Sequence, residues 1–134
     1  MFLTDREGNA SPLTWSSKKL RRICRSTLTS ETMSMLDTID VCIWIKHIID
    51  EISDEKMMPT VIKTDNKSLY EAAYSTKAVE EKRLRVELAS IRESINKKEI
   101  SIVWVQTDEQ IADCFTKQGA NTHNLLGVLN VGHI

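Results

Sequence analysis

The chain has 134 residues, of which 41% are hydrophobic and 28% are charged, and it contains four glycines and two prolines. This length allows one hydrophobic core, and the composition is typical of an ordinary folded protein rather than a disordered or collagen-like one. The 18 basic and 19 acidic side chains give a net charge of -1, so the total charge neither favours nor excludes a polyanionic partner.

The cysteines and the N-terminal sequence bear on the compartment. Three cysteines without a C-x-x-C pair predict neither a disulfide framework nor a zinc knuckle. The start MFLTDREG has no apolar signal segment, and no run approaches the roughly 18 apolar residues of a membrane span. We therefore expect an intracellular protein, cytoplasmic or nuclear, with no signal peptide and no membrane partner.

The first predicted element is a β-hairpin. Residues 2–4 and 12–15 are strand-like, and residues 5–9 between them have turn chemistry. An acid-free strip follows, whose basic side chains suit phosphate groups, although a solvated loop face explains so short a run as well. Its basic residues are Lys18, Lys19, Arg21, Arg22 and Arg25.

Helical periodicity then predicts a long helix over residues 29–52, preceded by N-cap candidates between residues 26 and 30. The later predicted elements are a strand over residues 60–64, a helix after Asp65 and Asn66, a helix over residues 79–96, a strand over residues 100–105 and a short helix over residues 108–117. This order predicts one α/β domain, residues 1–118, with a mixed sheet flanked by helices. The tail, residues 119–134, is expected to dock as a small apolar turn or to stay loose.

Three acidic residues stand at the ends of predicted elements. Glu31 lies in the first turn of the long helix, Asp65 directly follows the central strand, and Asp113 lies in the last short helix. Carboxylates from distant parts of a sequence are suitable ligands for hard cations such as Mg²⁺. Each also has an ordinary explanation: Glu31 favours a helix N-terminus, Asp65 caps the next helix, and Asp113 faces solvent. Spacing alone leaves both interpretations open.

Four segments add a family resemblance: SPLTWSSKK (residues 11–19), STLTSET (26–32), TDNKSL (64–69) and QIADCFTK (110–117). In this order they resemble signature blocks of the ribonuclease H domain of copia-type retrotransposon Pol polyproteins, and residues 77–85 resemble the family's basic approach to its third helix. The resemblance extends over about residues 1–118. It implies a ribonuclease H-like fold that cuts the RNA strand of an RNA–DNA hybrid with two Mg²⁺ or Mn²⁺ ions about 4 Å apart.

The resemblance also implies roles for individual residues. Three would be catalytic carboxylates that bind the metal ions: Glu31, Asp65 and Asp113. Four others would contact the backbone of the hybrid: Lys18, Lys19, Asn66 and Arg83. The reverse transcriptase domain of the same polyprotein would be a partner.

The sequence departs from the family at its beginning. The family has a first strand, before the hairpin, whose central aspartate binds both metal ions. We expect this strand to be missing here and the activity to be impaired. Asp5 is an alternative candidate for that aspartate, but residues 5–9 already have turn chemistry, and too few residues would remain for two further strands. A non-catalytic nucleic-acid- or protein-binding remnant, or a gene relic without a selected function, remain as alternatives.

Histidines and tryptophans are expected to be structural. His47 is predicted to be a partly exposed helix residue, and His123 and His133 lie in the tail, where nothing in the sequence fixes them. Core packing, rather than stacking on bases, is the predicted role of Trp15, Trp44 and Trp104.

Overall fold

The computed structural model describes residues 1–21, 23–54, 60–76, 79, 81–115, 117–119 and 122–133. Its strands and α-helices are β1 (Phe2–Thr4), β2 (Ala10–Pro12), α1 (Thr27–Ile52), β3 (Thr60–Thr64), α2 (Lys67–Tyr74), α3 (Lys82–Asn96), β4 (Ile100–Trp104) and α4 (His123–Val131). Two 3₁₀ turns, Thr107–Glu109 and Ile111–Phe115, precede α4. The chain packs as two units: a core unit, Leu20–Val105, and a terminal unit formed by Met1–Lys19 and Gln106–Ile134.

Helix α1 confirms the most extended prediction from the sequence. Its N-cap is Ser26, whose hydroxyl oxygen accepts a hydrogen bond from the N–H of Thr29 at 3.2 Å. At its other end, the N–H of Ser53 donates to the carbonyl of Ile49 at 2.8 Å, and Ser53 itself is extended. The buried residues of α1 recur at helical spacing and are Thr32, Met35, Ile39 and Cys42.

Strands β3 and β4 form a parallel pair in the core unit, with Thr60 opposite Ile100 and Thr64 opposite Trp104. Parallel strands need a long crossover connection, and α2 and α3 provide it. The hydroxyl of Tyr74 donates to the carbonyl of Ile102 and accepts from its N–H, both at 3.1 Å. These bonds satisfy backbone groups of β4 that would otherwise be exposed at the edge of the sheet.

The hydrophobic core lies in the core unit, where every helix and strand contributes to it. Its buried members are Met35, Ile39, Ile62, Leu69, Ala73, Leu84, Leu88, Ile91, Ile100 and Ile102. Full burial of one large apolar side chain contributes about 1.5–3 kcal/mol. No described residue of the terminal unit is buried. Most of the apolar burial that stabilises the chain is therefore in the core unit.

The structure confirms an α/β class but not a single mixed sheet. The described strands form two separate two-stranded sheets, the antiparallel hairpin β1–β2 and the parallel pair β3–β4. The second strand of the hairpin is Ala10–Pro12 rather than residues 12–15. The turn comprises residues 5–9, and Thr4 and Ala10 pair on its two sides.

Two predictions near the C-terminus were wrong. The short helix predicted over residues 108–117 is instead a pair of 3₁₀ turns. The tail contains α4, a helix of 9 residues that ends at Gly132 in the left-handed conformation. Gly127 inside α4 weakens the helical signal, because glycine is a poor helix former. No helix in the described ranges is long and apolar enough to cross a membrane.

Candidate active site

Asp65 directly follows β3, and the backbone on both sides of its side chain is fixed. The indole Nε1–H of Trp104 donates to the carbonyl of Asp65 at 3.1 Å. The N–H of Asn66 donates to the hydroxyl of Thr64, a buried residue, at 3.2 Å. The side chain of Asp65 therefore projects from a well-defined position at the carboxyl end of a parallel strand.

The ordinary explanation for Asp65 does not hold, because another residue caps α2. Oδ1 of Asn66 accepts a hydrogen bond from the N–H of Leu69 at 3.0 Å, which makes Asn66 the N-cap. No residue in the described part of the chain forms a hydrogen bond or an ion pair with the Asp65 carboxylate. In the described part of the chain, the half-buried Asp65 carboxylate is therefore not used to cap α2.

Glu31 lies in the second turn of α1 rather than in the first, which corrects the prediction. The helix begins at Thr27, and its first turn contains no acidic residue. Stabilisation of the helix N-terminus is strongest within the first turn, so it explains Glu31 less well than expected. The next residue, Thr32, is fully buried and donates its hydroxyl to the carbonyl of Leu28 at 2.7 Å. This places Glu31 beside the core, half-buried.

Asp113 lies in the 3₁₀ turn Ile111–Phe115 of the terminal unit. Its carboxylate forms an ion pair with Nζ of Lys117 at 2.6 Å. The side chain of Asp113 is 19% exposed, so it is more shielded than a solvent-facing acid. The ammonium group of Lys117 stands where a cation bound by Asp113 would stand.

The donor chemistry of these carboxylates fits Mg²⁺, which prefers oxygen ligands. Within the described ranges, however, no three His, Cys, Asp or Glu side chains are grouped so that they could hold a metal ion. Glu31 and Asp65 belong to the core unit, whereas Asp113 belongs to the terminal unit. The metal-binding role of the three carboxylates stays a prediction.

Asp5 is a turn residue, as its sequence context predicts. Its Oδ1 accepts hydrogen bonds from the N–H groups of Glu7 at 2.9 Å and Asn9 at 2.8 Å, and its Oδ2 accepts one from the Asn9 side-chain amide at 2.7 Å. These bonds, that from the Asn9 side chain most of all, lower the pKa of the Asp5 carboxyl group. Both of its oxygens therefore serve the hairpin turn.

The residues predicted to contact nucleic acid are divided between the units. Lys18 and Lys19 are exposed in the terminal unit, and Arg83 is exposed in the first turn of α3 in the core unit. Asn66 uses its side-chain oxygen as the cap of α2, which leaves its amide NH₂ group for an external acceptor. Arg22, Lys77 and Thr116, which belong to the predicted basic strip and motifs, lie outside the described residues.

Arg83 and Arg25 also line a groove between the starts of α1 and α3. The two helix ends are joined there by a hydrogen bond from Oγ1 of Thr29 to Oε2 of Glu81 at 3.1 Å. Arginine side chains that line a groove are suited to phosphate oxygens. The predicted phosphate contact of Arg83 would therefore lie in this groove of the core unit.

The aromatic and histidine predictions need correction. Trp15, Trp44 and Trp104 are 69%, 65% and 41% exposed, so none of the three packs in the core. Trp15 stacks on Phe115 in the terminal unit, with ring centroids 6.3 Å apart and an interplanar angle of 12°. His133 is held in place, because its Nε2 lies 3.0 Å from the carbonyl oxygen of Glu7 and its backbone forms a β-bridge with Asn9.

Sequence reasoning missed the role of Trp104, which positions Asp65. The signal was present in part, since the tryptophan N–H is a hydrogen-bond donor that commonly finds an acceptor in the fold. Finding that acceptor required the parallel register, in which Trp104 pairs with Thr64, the residue before Asp65.

The chain is similar to two proteins of Arabidopsis thaliana, the retrovirus-related Pol polyproteins from transposon RE1 and from transposon RE2. The first is 30% identical over 112 residues and the second 30% identical over 107 residues. These matches cover 83% and 79% of this chain but only 8% and 7% of the two relatives. No family model and no solved structure matches. The similarities support an origin of the chain in a retrotransposon Pol polyprotein.

Proposed function

We propose that the chain is a copia-type ribonuclease H domain that hydrolyses the RNA strand of an RNA–DNA hybrid. The observation that carries the proposal is the Asp65 carboxylate. This carboxylate projects from the carboxyl end of a parallel strand, and Trp104 donates a hydrogen bond to the backbone carbonyl of the same residue. The cap of α2 is Asn66 and not Asp65. Ligands of open α/β sheets bind at such strand ends. The TDNKSL segment around Asp65 and the Pol relatives support the same assignment.

Glu31, Asp65 and Asp113 would hold the metal ions. Bound Mg²⁺ would activate the attacking water and stabilise the departing oxygen. The chain's own contribution is negative charge on regular elements: Asp65 offers a carboxylate that no described residue binds, and Glu31 lies on α1, a helix of 26 residues. Asp113 pairs with Lys117 through Oδ2, so a metal ion bound by Asp113 would compete with that ammonium group.

The hybrid would be held through its phosphates. Lys18, Lys19 and Arg83 supply exposed positive charge, and the amide of Asn66 supplies a neutral donor beside Asp65. Such contacts orient the backbone without reading the base sequence, which suits a substrate recognised as a hybrid.

The direct test is cleavage of a labelled RNA–DNA hybrid in Mg²⁺ and in Mn²⁺ by the unaltered chain and by Asp65→Asn. We expect Asp65→Asn to lower the cleavage rate by roughly 100-fold or more, because a metal ligand loses its charge. Asp54→Asn is the matched control, since Asp54 is an exposed acid just after α1. Where the unaltered chain cuts the hybrid, equal rates for the two variants would contradict the assignment of Asp65.

A second arm tests the expectation of a missing first strand. The same assay is run after a strand with a central aspartate is added before Met1, with a version carrying asparagine at that position as control. Cleavage that appears only with the aspartate would support a ribonuclease H site completed from outside residues 1–134. A folded chain that binds the hybrid but never cuts it, in either form, would favour the non-catalytic binding function.

A further inference from the structure

Helix α1 carries a second apolar face, away from the core. Val41, Trp44, Ile48 and Ile52 follow each other at spacings of three and four residues, so they share one side of the helix. We call these four residues the outer stripe. All four are exposed, Trp44 at 65% and Ile52 at 81%. The buried residues Met35, Ile39 and Cys42 lie on a different face.

The outer stripe differs from the scattered apolar residues that every protein surface contains. Its members extend over three turns of one helix, and contiguous exposed apolar surface marks an interaction site. Helices that are apolar on both sides are normally buried on both sides. Tryptophan is also among the residues that contribute most to binding energy at protein interfaces. The stripe therefore has the character of an interface.

The charged neighbours of the stripe are acidic. Asp37, Asp40 and Glu51 stand seven residues before, four residues before and seven residues after Trp44, and all three are exposed. Lys46, the lysine of α1, forms an ion pair with Asp50 at 2.9 Å within the helix. A partner on this face would therefore meet apolar contacts bordered by negative charge.

This charge pattern argues against a second copy of the chain. In an antiparallel pairing of two stripes centred on Trp44, Asp37 of one copy would face Glu51 of the other. In a parallel pairing each acid would face itself. Like charges placed opposite each other across an interface destabilise it. An anionic lipid surface is disfavoured for the same reason.

We infer that the outer stripe of α1 docks an amphipathic helix of a protein partner, with an apolar stripe for Trp44 and its neighbours and with lysine or arginine residues beside it. Apolar anchors at i, i+3, i+4 and i+7 are the usual pattern of helix-in-groove recognition. The acids of α1 select the basic partner. The inference concerns a face of α1 and does not depend on catalysis.

The test uses two synthetic helical peptides with the same leucine stripe, one with lysines and one with glutamates beside it. Binding to the full chain is measured by fluorescence anisotropy. We expect the lysine peptide to bind at least roughly tenfold more tightly than the glutamate peptide. Trp44→Gln combined with Ile48→Gln should weaken binding by roughly tenfold or more. Val86→Gln, an exposed apolar residue of α3, is the matched control and should leave binding unchanged.

Several outcomes would overturn the inference. They are equal binding of the two peptides, equal loss in the control variant, and binding to anionic vesicles that exceeds binding to the lysine peptide. A dimer in sedimentation that the double substitution abolishes would assign the stripe to self-association instead. Should the double variant fail to fold, backbone chemical-shift changes in the unaltered chain decide: changes confined to residues 37–52 support the docking face, and changes elsewhere refute it.

Discussion

At the scale of single residues, Asp65 and Asn66 divide two tasks between neighbours. A capping side chain accepts a hydrogen bond from the N–H of the second or third helical residue, and Asn66 accepts one from the N–H of Leu69, the third residue of α2. Asp65 stands one residue earlier, and its own carbonyl is taken by Trp104. The carboxylate is thereby left for an external ligand while the helix keeps its cap.

Gly8 gives a prediction about the terminal unit. Its φ is +87°, and a Cβ at this position would lie 2.7 Å from Nε2 of His133. Gly8→Ala adds the cost of a positive φ, about 1 kcal/mol, and also displaces the His133 ring from the Glu7 carbonyl. We expect weaker amide protection in β1 and β2, measured by hydrogen exchange.

Gly119→Ala is the control for that substitution. Gly119 has a φ of +77°, but a Cβ there would meet nothing within 4 Å. Both variants share the backbone cost, so the difference between them reports the contact with His133. Equal loss of protection in the two variants would show that the ring contact contributes nothing.

At the scale of elements, the predictions succeeded where one local signal was sufficient. The bounds of β3 and the end of α1 follow from β-branched residues and from periodicity, and Ser26 is among the predicted caps. The tail helix α4 was missed because Gly127 and polar residues at its start reduce the helical signal. The division of the strands into two sheets depends on tertiary packing, which no local pattern encodes.

Asn66 tests the capping argument at helix α2. Asn66→Ala removes the acceptor for the Leu69 N–H and should lower the free energy of unfolding by about 1 kcal/mol. Asn66→Asp keeps an acceptor and should restore most of that loss. Urea denaturation followed by circular dichroism measures both. If alanine and aspartate were equivalent, the side chain of Asn66 would not stabilise α2.

At the scale of the whole molecule, the two units should differ in stability. The core unit contains all the buried apolar residues of the described chain, and the terminal unit has none. We expect amides of α3 and β4 to exchange with solvent at least roughly 100-fold more slowly than those of β1 and β2, because they open only with the core. Hydrogen exchange read by nuclear magnetic resonance provides the measurement. Equal protection would mean that the units unfold together.

The same division limits what the sequence could predict about the candidate site. Asp65 follows β3 as predicted, whereas Glu31 lies in the second turn of α1 and Asp113 lies in a 3₁₀ turn, and the neighbours of all three were not foreseen. The ion pair of Asp113 with Lys117 and the bond of Trp104 to Asp65 depend on local geometry and on strand register. Motif order constrains which residues take part in a site, whereas their mutual positions follow from packing.

The pairing of Asn9 with His133 also has a consequence for synthesis on the ribosome. The core unit is one continuous segment, so it can fold once Val105 has left the exit tunnel. The hairpin β1–β2 emerges first but must wait for α4 and His133 before its packing is complete. During translation the earliest part of the chain is therefore the last to reach its final structure, and it stays accessible to other pairing partners throughout that interval.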